Sequence, residues 1–288
     1  MSYYMTKVLV TGNLGFVGSH LSDYLIEQGY EVVGIDNLLT GDEKNGNPKV
    51  KQYIQDLVNF NDLTEMFSKE KPDWVFHTAA NCRTGVSVQN PIMDMENNIR
   101  GTLNVLLASR DHGVKKVIQS SSCILNAPNT PYYVSKLASE EYTQVFNKIY
   151  NLPTISLRYS NVYGSLRQSE QGPSVNAIAS LRKTKRETGR IWITGDGTQV
   201  RDWSHVKDIC RANLIAAKSD KTGVFDICTG VQTSMNEVAK FFNCPIDHIE
   251  PRVGDAPHLK QDPTKAKEEL GYIFEIPFGE ESMRPYIE

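Results

Sequence analysis

A glycine-rich turn between a strand and a helix constrains the fold of this chain more than any other feature. Residues 7–10 form a short apolar run, and residues 16–28 have helical periodicity that ends at Gly29, a good C-terminal cap. The turn between them holds Gly12, Gly15 and Gly18. Glycines there permit a tight turn, close approach of the backbone to a pyrophosphate, and close packing of helix on strand. The start of the helix would offer free N–H groups to phosphates.

An acidic residue at the end of the next strand strengthens this interpretation. A glycine pattern alone is weak, because any turn from a strand to a helix can use glycine. Here residues 31–35 read as a strand that ends at Asp36, where a carboxylate would meet the adenosine ribose hydroxyls of a dinucleotide. Asp36 would repel a 2′-phosphate, and residues 37–39 contain no arginine to attract one. The sequence therefore favours NAD over NADP.

Strands and helices continue to alternate along the first half of the chain. Asn61 is expected to cap a helix that Pro72 ends, and residues 94–111 are expected to form one helix. The remaining predicted strands are residues 53–54, 74–77, 116–119 and 154–158. Six such alternations predict an α/β fold with a doubly wound parallel sheet, whose ligands bind at the carboxyl ends of the strands.

Small and polar residues follow two of the predicted strands at this edge. Thr78, Ala79 and Ala80 are small enough to lie under a cofactor, and Ser120-Ser121-Ser122 forms a hydroxyl cluster. The serines also suit turn chemistry. For His77 we favour a hydrogen-bonded residue at a strand end over a catalytic group.

A phenol and an amine lie close together in the sequence just beyond these serines. If a helix starts near Pro131, Tyr132 and Lys136 lie four residues apart on one helical face, and Tyr133 reaches the same face at a spacing of three. A cation beside a phenol favours the phenolate, a usable base near neutral pH. The spacing leaves both tyrosines as candidates, and surface helices carry such pairs by chance.

Composition excludes several classes of protein. The chain has 288 residues, a net charge of −3 and 40% hydrophobic residues, which predicts an ordinary globular protein of one large or two modest domains without a broad nucleic-acid face. It has neither an apolar signal core at the N-terminus nor an apolar run long enough to span a membrane, so a cytoplasmic location is the expectation. Five scattered cysteines support neither disulfides nor a metal site, and we expect reduced, mostly buried thiols.

The ordered motifs of the whole chain resemble a known family. Those of the first half are Thr11-Gly12-x2-Gly15-x2-Gly18, Asp36-Asn37, Asp56-Leu57, His77-x-Ala79-Ala80, Asn98-x-x-Gly101-Thr102, Ser120-Ser121-Ser122, Tyr132-x3-Lys136 and Asn161-x-Tyr163-Gly164. Those of the second half are Gly195 to Asp208, Phe225 to Gly230, Arg252-Val-Gly254-Asp255 and Asp262-Pro263-Thr-Lys-Ala266. The chain resembles the extended short-chain dehydrogenase/reductase family, in its nucleotide-sugar epimerase and dehydratase branch, and is most similar to UDP-glucose 4-epimerase-like members.

This resemblance implies two domains and a set of NAD contacts. A Rossmann domain of residues 1–165, which also receives about 198–228, would bind NAD. A smaller C-terminal α/β domain of residues 166–197 and 229–288 would bind a nucleotide-diphosphate sugar. The implied cofactor-binding residues are Gly12, Gly15, Phe16, Gly18, Asp36, Asn37, Asp56, Leu57, Thr78, Ala79, Ala80, Tyr132 and Lys136.

The resemblance also selects Tyr132 as the catalytic base. Tyr132 would take a proton from a sugar hydroxyl while the carbon gives a hydride to NAD, Lys136 would lower the phenol pKa and hold the nicotinamide ribose, and Ser122 would hydrogen-bond the reacting oxygen. The implied substrate-binding residues are Ser122, Asn161, Arg201 and Arg252. From the residues alone, a surface ion pair with Asp202 or Asp255 is favoured for either arginine, and the ordered motifs shift the preference to a phosphate contact.

The residues after Ser122 bear on which reaction of the family is expected. Related dehydratases place an Asp-Glu pair after the serine or threonine and decarboxylases place a Glu nearby, whereas Cys123 and Ile124 stand here. We therefore expect 4-epimerisation of a UDP-hexose through a transient keto-sugar. The alternatives are a 4,6-dehydratase, decarboxylase or reductase, or a protein that binds NAD and nucleotide sugar with little turnover. The connection of residues 123–130 is shorter than is usual in the family.

The family resemblance further implies a homodimer. Helices at residues 94–111 and 133–150 would pair across a two-fold axis as a four-helix bundle. The apolar residues of the second helix are equally consistent with a monomer core. Neither the nucleotide base nor the sugar follows from the sequence.

Overall fold

A computed structural model describes residues 5–127, 129–170, 176–251 and 258–287. The strands among these residues are β1 (Lys7–Thr11), β2 (Glu31–Asp36), β3 (Lys51–Ile54), β4 (Trp74–His77), β5 (Lys116–Ser122), β6 (Thr154–Tyr159), β7 (Asn161–Tyr163), β8 (Ile191–Thr194), β9 (Val200–Arg201), β10 (Trp203–His205), β11 (Gly223–Ile227), β12 (Thr233–Ser234) and β13 (Ile246–Ile249).

The helices of the described residues lie on both faces of the main sheet and in the C-terminal part. They are α1 (Phe16–Glu27), α2 (Phe60–Glu70), α3 (Thr84–Gln89), α4 (Pro91–Met95), α5 (Gly101–Asp111), α6 (Pro131–Ile149), α7 (Ala177–Thr188), α8 (Val206–Lys218), α9 (Met235–Lys240), α10 (Thr264–Leu270) and α11 (Glu280–Met283). Short 3-10 turns cover Glu43–Asn45, Cys123–Asn126 and Arg284–Tyr286, and Glu96–Arg100 forms a π turn.

Seven strands form one parallel sheet in the order β11-β6-β5-β4-β1-β2-β3. The predicted doubly wound parallel sheet is confirmed. The strand order reverses between β1 and β4, which opens a crevice at their carboxyl ends. The seventh strand, β11, comes from the second half of the chain and pairs with β6 in the register Gly223↔Ile155 to Ile227↔Tyr159. The division into domains at the predicted boundaries stays a prediction.

The central strands are buried on both faces because helices cover both sides of the sheet. Val8, Leu9 and Val10 of β1 are fully buried, as the unbroken apolar run in the sequence implies. Val8 and Val10 belong to a core that includes residues of α1 and α8, whereas Leu9 belongs to the opposite core with residues of α2 and α5. The alternation of side chains along β1 therefore joins two helical layers.

Two predicted helices differ from the structure in detail. The helix that begins at Phe60 is capped by Asn59, whose Oδ1 accepts from the Asp62 N–H, and not by Asn61. The predicted helix at 94–111 begins earlier, at Pro91, because Asn90 caps it and proline suits the first helical position. The π turn interrupts it at Asn98, whose carboxamide bonds both the backbone N–H and the C=O of Asn81. The π turn contains one residue more than an α-helical turn and brings the Asn98 side chain to the loop after β4.

The C-terminal part has its own small core. Buried residues of α7, β8 and α9 pack together there, and the two-stranded pairs β7/β10, β8/β13 and β9/β12 border them. Trp203 stacks on Phe278 with ring centroids 5.3 Å apart, which joins β10 to the C-terminal segment. Within the described parts of the chain, no helix is both long enough and apolar enough to cross a bilayer.

Candidate active site

One cavity of about 520 Å³ lies at the carboxyl edge of the main sheet and continues into the C-terminal part. It is lined by every predicted site residue that the structure describes, which are Gly12, Gly15, Phe16, Gly18, Asp36, Asn37, Asp56, Leu57, Thr78, Ala79, Ala80, Ser122, Tyr132, Lys136, Asn161 and Arg201. The remaining predicted residue, Arg252, lies outside the described residues. The fold thus brings residues 189 positions apart in the sequence, from Gly12 to Arg201, to one surface.

The glycine turn leaves no room for side chains on the cavity floor. Gly12 has a φ of +68°, and a Cβ there would lie 2.7 Å from the Ala79 Cα. A Cβ on Gly18 would lie 2.2 Å from the Gly12 carbonyl oxygen. Helix α1 starts directly after Gly15, so its first N–H groups and the positive end of its dipole border the cavity. This cradle fits the pyrophosphate of a dinucleotide.

Asp36 is held at the end of β2 by backbone donors. Its Oδ2 accepts from the Leu14 N–H at 3.0 Å and its Oδ1 from the Leu38 N–H at 2.8 Å. Burial raises the pKa of the Asp36 carboxyl, and the hydrogen bonds from Leu38 and Leu14 oppose that shift. A carboxylate so oriented suits the paired hydroxyls of an adenosine ribose and disfavours a 2′-phosphate. The residues fit NAD.

His77 has a structural place beside this cradle. Its Nδ1 lies 2.8 Å from Thr11 Oγ1 and its Nε2 lies 2.9 Å from Thr102 Oγ1. Burial lowers the pKa of His77 to about 3, with a smaller contribution from the charge of Lys136, so the imidazole is neutral near pH 7. The interpretation of His77 as a hydrogen-bonded strand-end histidine is confirmed.

Helix α6 presents Tyr132 and Lys136 to the cavity on one face. Thr130 caps the helix by accepting from the Tyr133 N–H at 3.2 Å, and Pro131 occupies the first helical position. Tyr132 is 7% exposed and Lys136 is 5% exposed, and both line the cavity. Tyr133 is partly exposed and lines a separate shallow surface depression. Tyr132, four residues before Lys136, therefore faces the site, whereas Tyr133, three residues before Lys136, does not.

Burial favours the uncharged forms of both groups. It raises the pKa of the Tyr132 phenol well above its usual value, and a hydrogen bond with Ser122 opposes the shift. It lowers the pKa of the Lys136 ammonium to about 8, against the opposing charges of Cys82, Glu140 and Asp94. Lys136 Nζ donates to the Ser120 carbonyl oxygen at 2.6 Å. A bound cationic group beside the phenol would favour the phenolate.

Comparison with known proteins gives a consistent result. Residues 8–228 match the model of the NAD dependent epimerase/dehydratase family. The chain belongs to this family. A putative UDP-glucose 4-epimerase of Methanocaldococcus jannaschii is 34% identical over 294 residues, which cover 95% of each chain.

Two solved structures of epimerases also resemble this chain closely. The UDP-glucose 4-epimerase of Thermotoga maritima, solved with UDP-glucose, has a TM-score of 0.91 and 34% identity, and the match covers 98% of this chain and 100% of that one. A UDP-N-acetylglucosamine 4-epimerase of Methanobrevibacter ruminantium M1, in complex with UDP-N-acetylmuramic acid, has a TM-score of 0.90 and 31% identity over 98% of this chain and 97% of that one. The whole described chain therefore has the epimerase architecture.

Two amides of this epimerase-family site have buried nitrogens with no hydrogen-bond partner among the described residues. They are the Nδ2 atoms of Asn81 and Asn161, and both residues line the cavity. A buried donor without a partner is unfavourable, so a ligand oxygen is the natural acceptor for each. Asn161 was predicted from the sequence, whereas Asn81 was missed although it directly follows the predicted residue Ala80, four positions beyond the end of β4.

A segment distant in the sequence lines the cavity beside the short connection that follows Ser122. Residues Cys123–Asn126 form a 3-10 turn that packs Cys123 against Leu259. Asn126 Nδ2 donates to the Lys260 carbonyl oxygen at 2.6 Å. Leu259 lines the cavity, and no signal in the sequence pointed to it because its role depends on a contact across more than a hundred residues.

Arg201 lines the cavity from β9. Its guanidinium donates to the Val200 carbonyl oxygen at 2.8 Å. The carboxylate of Asp202, its alternative partner, accepts from the N–H groups of Thr229 and Gly230 and from the Thr229 hydroxyl. This arrangement is compatible with a phosphate contact at Arg201.

Proposed function

We propose that this protein is an NAD-dependent 4-epimerase of a UDP-hexose. The observation that carries the proposal is the convergence of Tyr132, Lys136 and Ser122 on the cavity that holds the dinucleotide cradle. Cys123 and Ile124 follow Ser122 in place of the carboxylates expected of a dehydratase or decarboxylase. Epimerisation needs no acid-base pair at these positions, because no water or carbon dioxide leaves.

The proposed cofactor contacts follow from the cradle. The glycine turn and the start of α1 would hold the NAD pyrophosphate, Asp36 and Asn37 the adenosine ribose, and Lys136 the nicotinamide ribose. The remaining proposed contacts are Phe16, Asp56, Leu57, Thr78, Ala79, Ala80 and Tyr132. Bound NAD would supply a reversible hydride acceptor, so that epimerisation involves no net redox change.

The proton is moved by the chain itself in the proposed mechanism. Tyr132 removes the proton from the sugar hydroxyl that is oxidised and returns it after the sugar has turned. Lys136, as the ammonium, favours the phenolate, and Ser122 hydrogen-bonds the reacting oxygen. Asn161, Arg201 and Arg252 would hold the diphosphate, which lets the sugar turn while the nucleotide stays in place.

The proposal is tested by cofactor release and by turnover. The purified protein is denatured and the supernatant analysed for NAD, and the native protein is incubated separately with UDP-glucose, UDP-N-acetylglucosamine and their 4-epimers. We expect bound NAD and interconversion of one pair without accumulation of NADH. A 4-keto-6-deoxy product would indicate a dehydratase, and release of carbon dioxide from UDP-glucuronic acid a decarboxylase. Binding without conversion of any sugar would support the alternative of a binding protein.

Binding measurements can narrow the choice of sugar before turnover is assayed. Relatives act on UDP-glucose or UDP-N-acetylglucosamine, according to their names. Thermal shifts across a panel of nucleotide sugars, with NAD present, rank both the base and the sugar. A ligand that binds only the native protein stabilises it by RT ln(1 + [L]/Kd), so at equal concentration the tighter-binding sugar raises the melting temperature more.

We also propose a homodimer, with α6 and the α4–α5 segment as its interface. The structure exposes apolar side chains on these helices, namely Ile92, Met95, Val134, Tyr142, Val145 and Ile149. The last three recur at spacings of three and four, as in a helix–helix seam.

Free thiols at all five cysteines agree with the proposed cytoplasmic location.

Ile149→Glu is expected to convert the dimer to a monomer. Ile149 is 66% exposed in the single chain, and a charge buried in an apolar seam without a partner opposes association. Light scattering at micromolar concentration is expected to give twice the chain mass for the wild type and the chain mass for the variant. Ile273→Glu is the matched control, because Ile273 is 59% exposed and lies away from α6. A wild-type monomer would contradict the proposal.

A further inference from the structure

A partly buried ion pair, between Glu140 and Arg158, lies one helical turn beyond Lys136. Glu140 is four residues after Lys136 on α6, and its side chain is 2% exposed. Its Oε2 accepts from Ser121 Oγ at 2.6 Å and from Arg158 Nε at 2.9 Å, and its Oε1 accepts from an Arg158 terminal nitrogen at 2.5 Å. Tyr132, Lys136 and Glu140 therefore follow one another along one face of the helix.

These contacts connect the three elements that build the catalytic site. Ser121 and Arg158 are direct neighbours across the β5–β6 pair, and Ser121 precedes Ser122. One carboxylate thus fastens α6, which carries Tyr132 and Lys136, to the strand end that carries Ser122. The Arg158 carbonyl oxygen accepts from Gln261 Nε2 at 2.8 Å, which extends the connection to the segment that places Leu259 in the cavity.

The carboxylate also acts electrostatically on Lys136. Burial lowers the pKa of Lys136, and the charge of Glu140 opposes that shift, as do those of Cys82 and Asp94. Two further titratable groups, Tyr132 on α6 and the neutral His77 at the end of β4, border this lysine. Glu140 is held in place by its partners, so its charge is fixed relative to the ammonium.

We propose that Glu140 is a positioning residue for the reaction, which fastens α6, with Tyr132 and Lys136, to the Ser122 strand end through Ser121 and Arg158. The proposal rests on the proposed function, because it assigns Lys136 and Tyr132 their roles there. A charged Lys136 beside Tyr132 favours the phenolate. Without the Glu140 charge, Lys136 loses its proton at a lower pH, so the phenolate loses this support.

A partly buried ion pair can instead serve stability alone, and the test separates the two roles. Removing Glu140 leaves the partly buried Arg158 charge without this partner and destabilises the fold, whereas replacing both by uncharged residues relieves that effect. The variants are Glu140→Gln and the double variant Glu140→Gln/Arg158→Met, each purified with NAD bound. Glu141→Gln is the control, because Glu141 is the adjacent exposed carboxylate of the same helix.

Three measurements are made on each protein. The first is thermal unfolding, and the second is kcat and KM with the UDP-sugar that the wild type converts. The third is the pH titration of the Tyr132 phenolate by ultraviolet absorbance. For each protein, the absorbance of a second version that also carries Tyr132→Phe is subtracted, so that only the signal of Tyr132 remains. This third measurement requires no turnover, so it decides the role of Glu140 even if the wild type converts no tested sugar and the proposed function fails.

We expect Glu140→Gln to lower kcat about tenfold with little change in KM, and to move the phenolate titration upward by about one pH unit. In the double variant the melting temperature is expected to recover, while kcat and the titration stay shifted. The proposal would be overturned if the melting temperature, kcat and the phenolate titration all recovered in the double variant, or if the titration were unshifted in both variants. If the single variant does not fold, the double variant alone decides between these outcomes.

Discussion

Tyr132→Phe is expected to lower the kcat of epimerisation by roughly 100- to 10,000-fold, the usual contribution of a positioned acid-base group. The substitution removes only the hydroxyl, which is buried in the cavity and hydrogen-bonded with Ser122. Phenylalanine keeps the ring and its packing, so NAD release on denaturation and the KM for the sugar are expected to change little. Steady-state kinetics with the UDP-sugar converted by the wild type measure the effect.

Tyr133→Phe is the matched control for this experiment. Tyr133 is the second phenol that the sequence offers, but it lies partly exposed outside the main cavity. The kcat of the Tyr133→Phe variant is expected to stay within about twofold of the wild-type kcat, because loss of a partly exposed hydroxyl has a small effect. An inactive Tyr133→Phe beside an active Tyr132→Phe would reverse the assignment of the base.

Gly18→Ala is expected to abolish NAD binding and to destabilise the protein by roughly 3 kcal/mol. Its Cβ would lie 2.2 Å from the carbonyl oxygen of Gly12 and 2.8 Å from the Gly12 carbonyl carbon, so a backbone atom and not a flexible side chain must move. That movement separates α1 from the turn and disperses the N–H groups that face the cavity. Urea unfolding and the NAD content of the purified protein measure the two effects.

Gly279→Ala is the control for adding a methyl group. A Cβ on Gly279 meets nothing within 4 Å among the described residues, and its φ of 175° is open to any residue. We expect its free energy of unfolding to change by less than about 0.5 kcal/mol and its NAD content to match the wild type. If Gly18→Ala also retained NAD and stability, the cradle would not have the tight geometry described.

The residues that the sequence identified have local signals. The glycine turn, Asp36 and the Tyr132–Lys136 spacing depend on neighbours within one strand-turn-helix unit or one helical turn, so their patterns are readable along the chain. Their convergence on one cavity follows from the parallel order of the strands, because all carboxyl ends meet at one edge. Their chemical roles stay predictions until the variants are measured.

Other parts of the site depend on contacts between distant segments. The residues alone left Tyr132 and Tyr133 open and the family resemblance selected Tyr132, which the packing of α6 brings to the main cavity while Tyr133 lies outside it. The same helix is tethered from Glu140 to Ser121 and Arg158. The π turn at Asn98, which the sequence prediction of one regular helix missed, arises where that side chain meets the Asn81 backbone.

By itself, the sequence predicted the alternation of strands and helices, the glycine turn for a dinucleotide, and the helical spacing of Tyr132 and Lys136. Each of these is encoded by side-chain periodicity or by a conformational need of the local backbone. Only the tertiary structure decided that β11 pairs with β6 at the edge of the sheet, that Leu259 lines the cavity beside Cys123, and that Glu140 forms an ion pair with Arg158. Those features arise from packing between segments far apart in the chain, whose meeting depends on the whole fold and leaves no local pattern.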